Sequence, residues 1–494
     1  MKNKILENLI ISALCLVGAI YVLLYINAAV IDVPVSDYLR IINYYYENVF
    51  DLHYLFSIEG ISRVPFTFLT RIINASIFSF STDFDRVISV FGLFVFNFVI
   101  LKYVFKIINN NILKILTSIM VTFTSFSLIS WEMLLNGTAH PHYIALALFV
   151  LAYYIYDNHY KDWYLINEKL PNNGIVGFVA FIIFSSLCFG GSYMVAFLFT
   201  ISCFCLIFYI KNFTTNNSKN SITYKMFNKT QINNIMTIVI SFLCVLLFQI
   251  SNNSGEPFVH IGMKEISLGE LLKTDFTFPV RFLSKALASS IIGVDNITFA
   301  IQINSINDLV IYGIAVLIVV MIIYITVIVI KRKYYQKYLF VMLLAFNGLA
   351  NYLFIFFARY KFVDDTYGMT SRYGIQYMFL TISVIIVLFK IVDDNMSENR
   401  DDKNFVNNKT NSFISFISVM MILCLLSTNL TTNYHEQLIA PYRKEAYEKA
   451  KEVVLNIDNY DEDELPNIFE YHRGVDQIKK AFAIIKKNRY NVFR

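Results

Sequence analysis

The chain has 494 residues, of which 56% are hydrophobic and only 16% charged, with a net charge of +5 and a mean hydropathy of +0.54. That balance excludes an ordinary soluble domain, and with no Arg/Lys-rich aromatic groove it speaks against nucleic acid as a partner. Apolar runs long enough to cross a ~30 Å hydrocarbon core, which takes ~20 helical residues, recur throughout, so the fold class is an all-α polytopic membrane protein.

In chain order the predicted spans fall near 9–31, 87–107, 113–131, 142–157, 174–190, 193–210, 233–250, 308–330, 338–357, 373–391 and 412–428, about eleven transmembrane helices. The first exceeds the ~7–15 apolar residues of a cleaved signal and reads as an uncleaved span. Basic residues of short loops set the orientation. Lys2 and Lys4, Lys106 and Lys114, Lys161 and Lys169, the group Lys211, Lys219, Lys225 and Lys229, and KRKYYQK at 331–337 share one side, the expected cytoplasm. The amino terminus is then cytoplasmic. The first loop (32–86), the segment 131–143, the turn at 190–192, the loops 251–307 and 359–373 and the tail after Asn429 face outward together.

The first outer loop concentrates charge. Pro34 disfavours helix at Val33, which leaves Asp32 in an extended turn facing water or substrate. Ser36 or Asp37 then caps a helix from Tyr38 to about Val49, whose Leu39, Ile42, Tyr46 and Val49 recur at helical spacing. That helix is expected in the membrane interface, and another begins near Pro65. Either Asp32 or Asp37 has the chemistry of a general base toward a hydroxyl acceptor; the competing reading makes Asp37 a helix cap and Asp32 the end of a span. Glu59 and Arg63 stand at i, i+4: Arg63 presents a fork of donors suited to phosphate and Glu59 a carboxylate for a substrate hydroxyl, against a plain structural ion pair.

Farther on, Trp131, Glu132 and His140 lie where a span meets the outer loop, with His142 two residues later. Trp131 suits the apolar face of a sugar and Glu132 its hydroxyls, although a Trp at this depth is more often an interfacial anchor. His140 and His142, with Pro141 between them, are poorly spaced for one metal. Arg359, Lys361, Asp364, Asp365 and Arg372 crowd one short outer loop. Basic groups outside run against the usual bias, and an anionic lipid phosphate would account for them; internal salt bridges would account for Lys361 and Asp365.

The tail reads as two helices, PYRKEAYEKAKEVVLNI and GVDQIKKAFAIIKKN, around the acidic turn DNYDEDELP. About sixty residues are few for an independent core, so residues 430–494 form a small helical extracytoplasmic tail that is expected to pack on the outer loops of a 1–429 membrane domain. All six cysteines fall in apolar runs without metal-ligand spacing, and no cofactor is indicated.

The first-loop DVPVSD, the EGISRVPF segment, WEMLLNG after the third span and SRY before the tenth together resemble the GT-C superfamily of polytopic glycosyltransferases. The likeness spans most of the chain loosely. It implies a polyprenyl-phosphate-linked sugar donor and a glycan acceptor on the outer face of a bacterial inner membrane, with an acidic base in the first outer loop. It supports Asp32 or Asp37 as that base and Arg63, Arg372 or Arg359 as donor-phosphate ligands, with Glu59, Trp131, Glu132 and His140 toward sugar or acceptor. The first loop lacks an adjacent acidic pair or D-x-D, which leaves the choice of base and any divalent metal open. In size and composition the chain is similar in kind to serotype-converting O-antigen glucosyltransferases. An O-antigen polymerase and a lipid-linked saccharide flippase are the alternatives; a flippase should carry ionisable groups inside its spans.

Overall fold

A computed structural model describes residues 2–45, 49–52, 65–166, 172–187, 193–216, 235–247, 250, 262–302, 307–401 and 405–494. The described residues are helical, with no strand. The helices are α1 (Lys2–Ala29), α2 (Asp37–Tyr45), α3 (Pro65–Ile77), α4 (Thr82–Ile107), α5 (Asn111–Ser125), α6 (Trp131–Leu135), α7 (His140–Ile166), α8 (Asn172–Ser185), α9 (Met194–Asn216) and α10 (Ile235–Leu247). They continue as α11 (Leu268–Thr274), α12 (Phe278–Ile292), α13 (Val294–Gln302), α14 (Asp308–Lys331), α15 (Tyr334–Lys337), α16 (Leu339–Arg359), α17 (Gly374–Asp401), α18 (Phe405–Leu455), α19 (Leu465–Ile468) and α20 (Val475–Lys487).

Eight described stretches are long and apolar enough to cross a bilayer. The other three predicted runs coincide with α8, α9 and α10, whose described apolar portions are shorter. Leu16, Leu24, Leu317, Val320, Ile323, Phe413 and Leu423 are exposed on the outer faces of α1, α14 and α18, as side chains that meet lipid must be. The central post is α17, whose most apolar 18-residue stretch is almost wholly enclosed. Gly348 of α16 lets that helix close on it, since a Cβ there would stand 2.5 Å from the Leu380 backbone nitrogen. Gly92 does the same between α4 and the backbone of Tyr143 in α7.

The bundle has two chemically distinct ends. At one, Lys106 pairs with Asp157 (3.3 Å), Asp393 accepts from the Asn109 and Asn110 amides (3.0 and 2.9 Å), Asp157 accepts from the Phe340 amide (3.1 Å), and Arg332 bonds Asn395. At the other, the end of α1 meets the start of α4, α6 meets the turn before α17, and α13 meets α18 through Asp295 and Arg443. Among the described residues, every segment expected to face outward converges on this second end. Among the described residues between the ends, the buried polar groups are neutral, Asn97, Thr122, Asn347, Asn351 and Ser383 among them.

Helix α18 is 51 residues long, about 77 Å at ~1.5 Å per residue, so it outruns any hydrocarbon core and continues as the first helix of the tail. Its far end joins a second apolar cluster in which Val453, Val454, Phe469, Ile478, Phe482 and Ile485 pack with Val33, Leu39, Ile42, Phe68 and Phe80 of the first outer loop. The tail therefore lacks a core of its own. The same contacts show what covers the apolar stripe of the helix after Ser36: the buried face of α2 rests on α20, a complementary amphipathic helix.

Candidate functional site

The end bearing the tail holds two constellations. The first is built by two span-to-span connections. After α5, Ser127 caps a single 3-10 turn, its hydroxyl accepting from the Ile129 amide (3.4 Å), and α6 then carries Trp131 and Glu132 to the edge of the bundle. Asn433 of α18 accepts from the Leu128 amide (2.7 Å) and fixes this turn. Opposite it, short 3-10 turns between α16 and α17 present Ser371 and Arg372. The Arg372 guanidinium donates to one carboxylate oxygen of Glu132, and the Ser371 hydroxyl donates to the other (3.3 Å). Both charged side chains stay partly open, Arg372 at 42% and Glu132 at 29%.

Aromatic rings frame this pair. Arg359 donates through Nε to the Tyr373 hydroxyl (2.6 Å) and lies 5.9 Å from the ring centres of Phe362, Tyr367 and Tyr373, a cation held by ring faces. Tyr193, in electrostatic reach of Glu132, Arg359 and Arg372, lies against His142, the rings tilted by 33° with centres 4.3 Å apart. On the far side the Arg443 guanidinium lies 3.4 Å above the Trp131 ring and bridges Asp295 (3.0 Å) and Glu436 (2.9 Å). Trp131 is thus occupied by a protein cation rather than offered freely to a sugar. Partial desolvation, then the charge of Glu132, pushes the Glu470 carboxyl of the tail above its ordinary value. Asp365 is spent on Arg281 (2.7 Å) and Lys285 (2.8 Å), and Arg281 holds the Asp275 carboxyl down to about 2; these salt bridges clamp the 360–373 loop onto α12.

The second constellation is buried. Asp85, in the first turn of α4, accepts from the Tyr38 hydroxyl and from Arg71 of α3, with Asn74 at 3.4 Å and His140 at 3.9 Å. Arg71, Asp85 and His140 are essentially inaccessible. The Gly137 carbonyl can only accept, so His140 Nδ1 (3.0 Å) carries the proton, and Nε2 of the neutral ring meets the Thr70 hydroxyl at 2.8 Å. His140 therefore belongs with Asp85, apart from its sequence neighbours Trp131 and Glu132. Sequence reasoning passed over Asp85 and Arg71, although TDFDR directly ahead of an apolar run is itself a visible charge cluster at a membrane boundary.

The remaining candidates separate. Asp32 lines a surface cleft with Asn491 and Arg494, but its carboxylate is engaged: its Oδ1 accepts from the Thr82 amide (2.7 Å), the Thr82 hydroxyl (2.8 Å) and Asn491 (2.8 Å), and its Oδ2 from Ser81 (2.8 Å) and Arg494 (3.0 Å). Five donors on a group with about four lone-pair sites leave none for an acceptor hydroxyl. Asp37 opens α2, half exposed, and pairs with Arg40 at 3.2 Å. Glu59 and Arg63 lie outside the described residues. No group of three His, Cys, Asp or Glu gathers for a metal among the described residues.

Comparison with family models, with curated proteins and with solved structures finds no match for this chain.

Proposed function

We propose that this chain is an integral-membrane glycosyltransferase that moves a sugar from a polyprenyl-phosphate donor to a cell-surface glycan such as O antigen. The reaction centre in this reading is at the bundle end bearing Glu132 and Arg372, taken to be the extracytoplasmic one because the described basic turns around Lys106, Lys114 and Lys331 are at the other. The observation that carries the reading is the ion pair between Glu132 and Arg372, part-open and flanked by Arg359. Arg supplies a planar fork suited to a phosphate; a carboxylate is a competent base toward a hydroxyl.

The pair suggests an order of events. A donor phosphate engaging Arg372 competes with Glu132 and frees the carboxylate beside it. The acceptor hydroxyl oxygen then bonds to the anomeric carbon, its proton passes to Glu132, and the bond to the phosphate breaks with its electrons leaving on phosphate oxygen. The phosphate needs no proton to depart, so one carboxylate suffices for inverting transfer. Asp37, half exposed, is the alternative base; Asp32 would first have to shed Asn491 and Arg494. Among the described residues, neutral middle turns speak for a one-ended transferase over a flippase, which needs a polar path through the bilayer.

The test uses protein reconstituted in liposomes with polyprenyl-phosphate sugar and glycan acceptor. Glu132→Gln should lower transfer by ~10²–10⁴-fold, the scale of a lost general base, and Arg372→Lys should act chiefly by weakening donor binding. Parental rates in both variants would sink the assignment.

A further inference from the structure

Helices α9, α14, α16 and α17 leave a cleft of about 390 Å³ between them, within the ~300–1,000 Å³ typical of ligand sites. It lies toward the basic end: its α14 residues Ile325 and Val329 are in the turns before Lys331, and Met342 is in the first turn of α16. Phe204, Phe346 and Val384 complete the wall. Two aliphatic hydroxyls also line it, and both are spent within their own helices, Thr326 donating to the Ile322 carbonyl and Ser383 to the Leu380 carbonyl, each at 2.7 Å. A polar guest would lose its water partners here and gain none; a hydrocarbon chain loses nothing.

The mouth supplies the second half of the recognition. Tyr335 lines the cleft while 43% exposed, an amphipathic ring of the kind found at headgroup level. It sits in the turn 331–337, where Lys331, Lys333 and Lys337 are exposed and form no ion pair with a described residue. Arg332, by contrast, is turned inward onto Asn395. Three exposed lysines in the same turn as a residue that lines an apolar cleft complement a lipid with a negatively charged head.

We propose that this cleft holds one acyl chain of an anionic phospholipid from the leaflet at the basic end, its phosphate against Lys331, Lys333 and Lys337. The site is at the opposite end of the bundle from Arg359 and Arg372 and does not depend on the glycosyltransferase reading.

Native mass spectrometry of the purified full chain, with phosphatidylglycerol or phosphatidylethanolamine added to the detergent, tests this. One phosphatidylglycerol per chain should survive desolvation while phosphatidylethanolamine is shed. The triple variant Lys331→Gln, Lys333→Gln, Lys337→Gln should lower that retention about 10-fold or more, in keeping with the contribution of basic residues near a membrane surface. Leu349→Trp, on the exposed wall of the cleft at 41%, should abolish it by filling the space. If that variant fails to fold, the triple variant, confined to exposed lysines, still decides. Equal retention of the two phospholipids, or undiminished phosphatidylglycerol in the triple variant, overturns the proposal; stronger retention of a polyprenyl phosphate overturns the source.

Discussion

Asp32 and Arg494 stand 462 positions apart in the chain and form an ion pair at 3.0 Å. Around it Asn491 donates from its side chain to Asp32 (2.8 Å) and to the Phe80 carbonyl (2.9 Å), and from its backbone to the Ser79 carbonyl (2.8 Å). Ser79, Phe80, Arg489 and Asn491 all hold φ between 50° and 58°, a conformation costly for residues with side chains. At Arg489 the local bonds that end α20 account for it, Arg489 and Tyr490 donating to the Lys486 and Ile485 carbonyls; at Asn491 the bond to the Ser79 carbonyl holds it. Asp32 is thus the anchor by which the tail is fastened to the first outer loop, and its carboxylate also faces the N-terminus of α4, where negative charge is favoured.

Asp32→Asn should therefore act first on stability. Charge-assisted hydrogen bonds contribute about 1.5–3 kcal/mol net, and a loss of that order should appear in thermal unfolding of the detergent-purified protein. Arg494→Gln should cost no more than ~1 kcal/mol, since Arg494 is half exposed. Abolished sugar transfer at an unchanged melting temperature in Asp32→Asn would instead give Asp32 the base's role.

The buried pair of Asp85 and Arg71 should respond differently. Removing one partner leaves a desolvated charge, so Asp85→Leu or Arg71→Met alone should cost ~3–5 kcal/mol. The double variant should recover much of that loss, because contacting residues are not additive. Melting temperatures of the four proteins form the cycle, and strict additivity would mean that the two charges do not stabilise each other.

A pH dependence follows from Glu470. Its carboxyl is raised above the ordinary 4.5 by desolvation and Glu132, with Arg443, His472 and Arg372 opposing. A raised acid disfavours the folded state once the unfolded chain can ionise. The penalty is absent well below pH 4.5 and grows as pH climbs from there to the raised value. Glu470→Gln should raise the melting temperature at pH 7 and leave it unchanged near pH 4. A gain of equal size at both values would point to packing instead of charge.

Orientation is testable without assuming any activity. Single cysteines replacing Lys333 and Asn456, both exposed, should react oppositely with a membrane-impermeant maleimide on intact cells: Asn456→Cys labelled, Lys333→Cys protected until the membrane is opened. The reverse pattern would invert the bundle and remove Glu132 and Arg372 from the outer face.

Much of the architecture was legible in the sequence because it depends on local composition. Runs of apolar residues long enough for a bilayer become helices wherever they occur, since lipid offers the backbone no other hydrogen-bond partner. Lysines sort one set of loops from the other, and Pro65 begins α3 as its fixed φ favours. Periodicity also marked an apolar stripe after Ser36, but it could not say whether lipid or protein would cover it, and only the tertiary structure set α20 there. The charged residues show the same limit more sharply. Asp32 reads in sequence as a free carboxylate at the end of a span, yet Ser81, Thr82, Asn491 and Arg494 surround it. Glu132 and Arg372 were each noticed, but as separate candidates 240 positions apart. A charge near a membrane is favourable or costly according to the partner it meets, and for Asp32, Asp85 and Glu132 that partner is supplied by helices that only folding brings together.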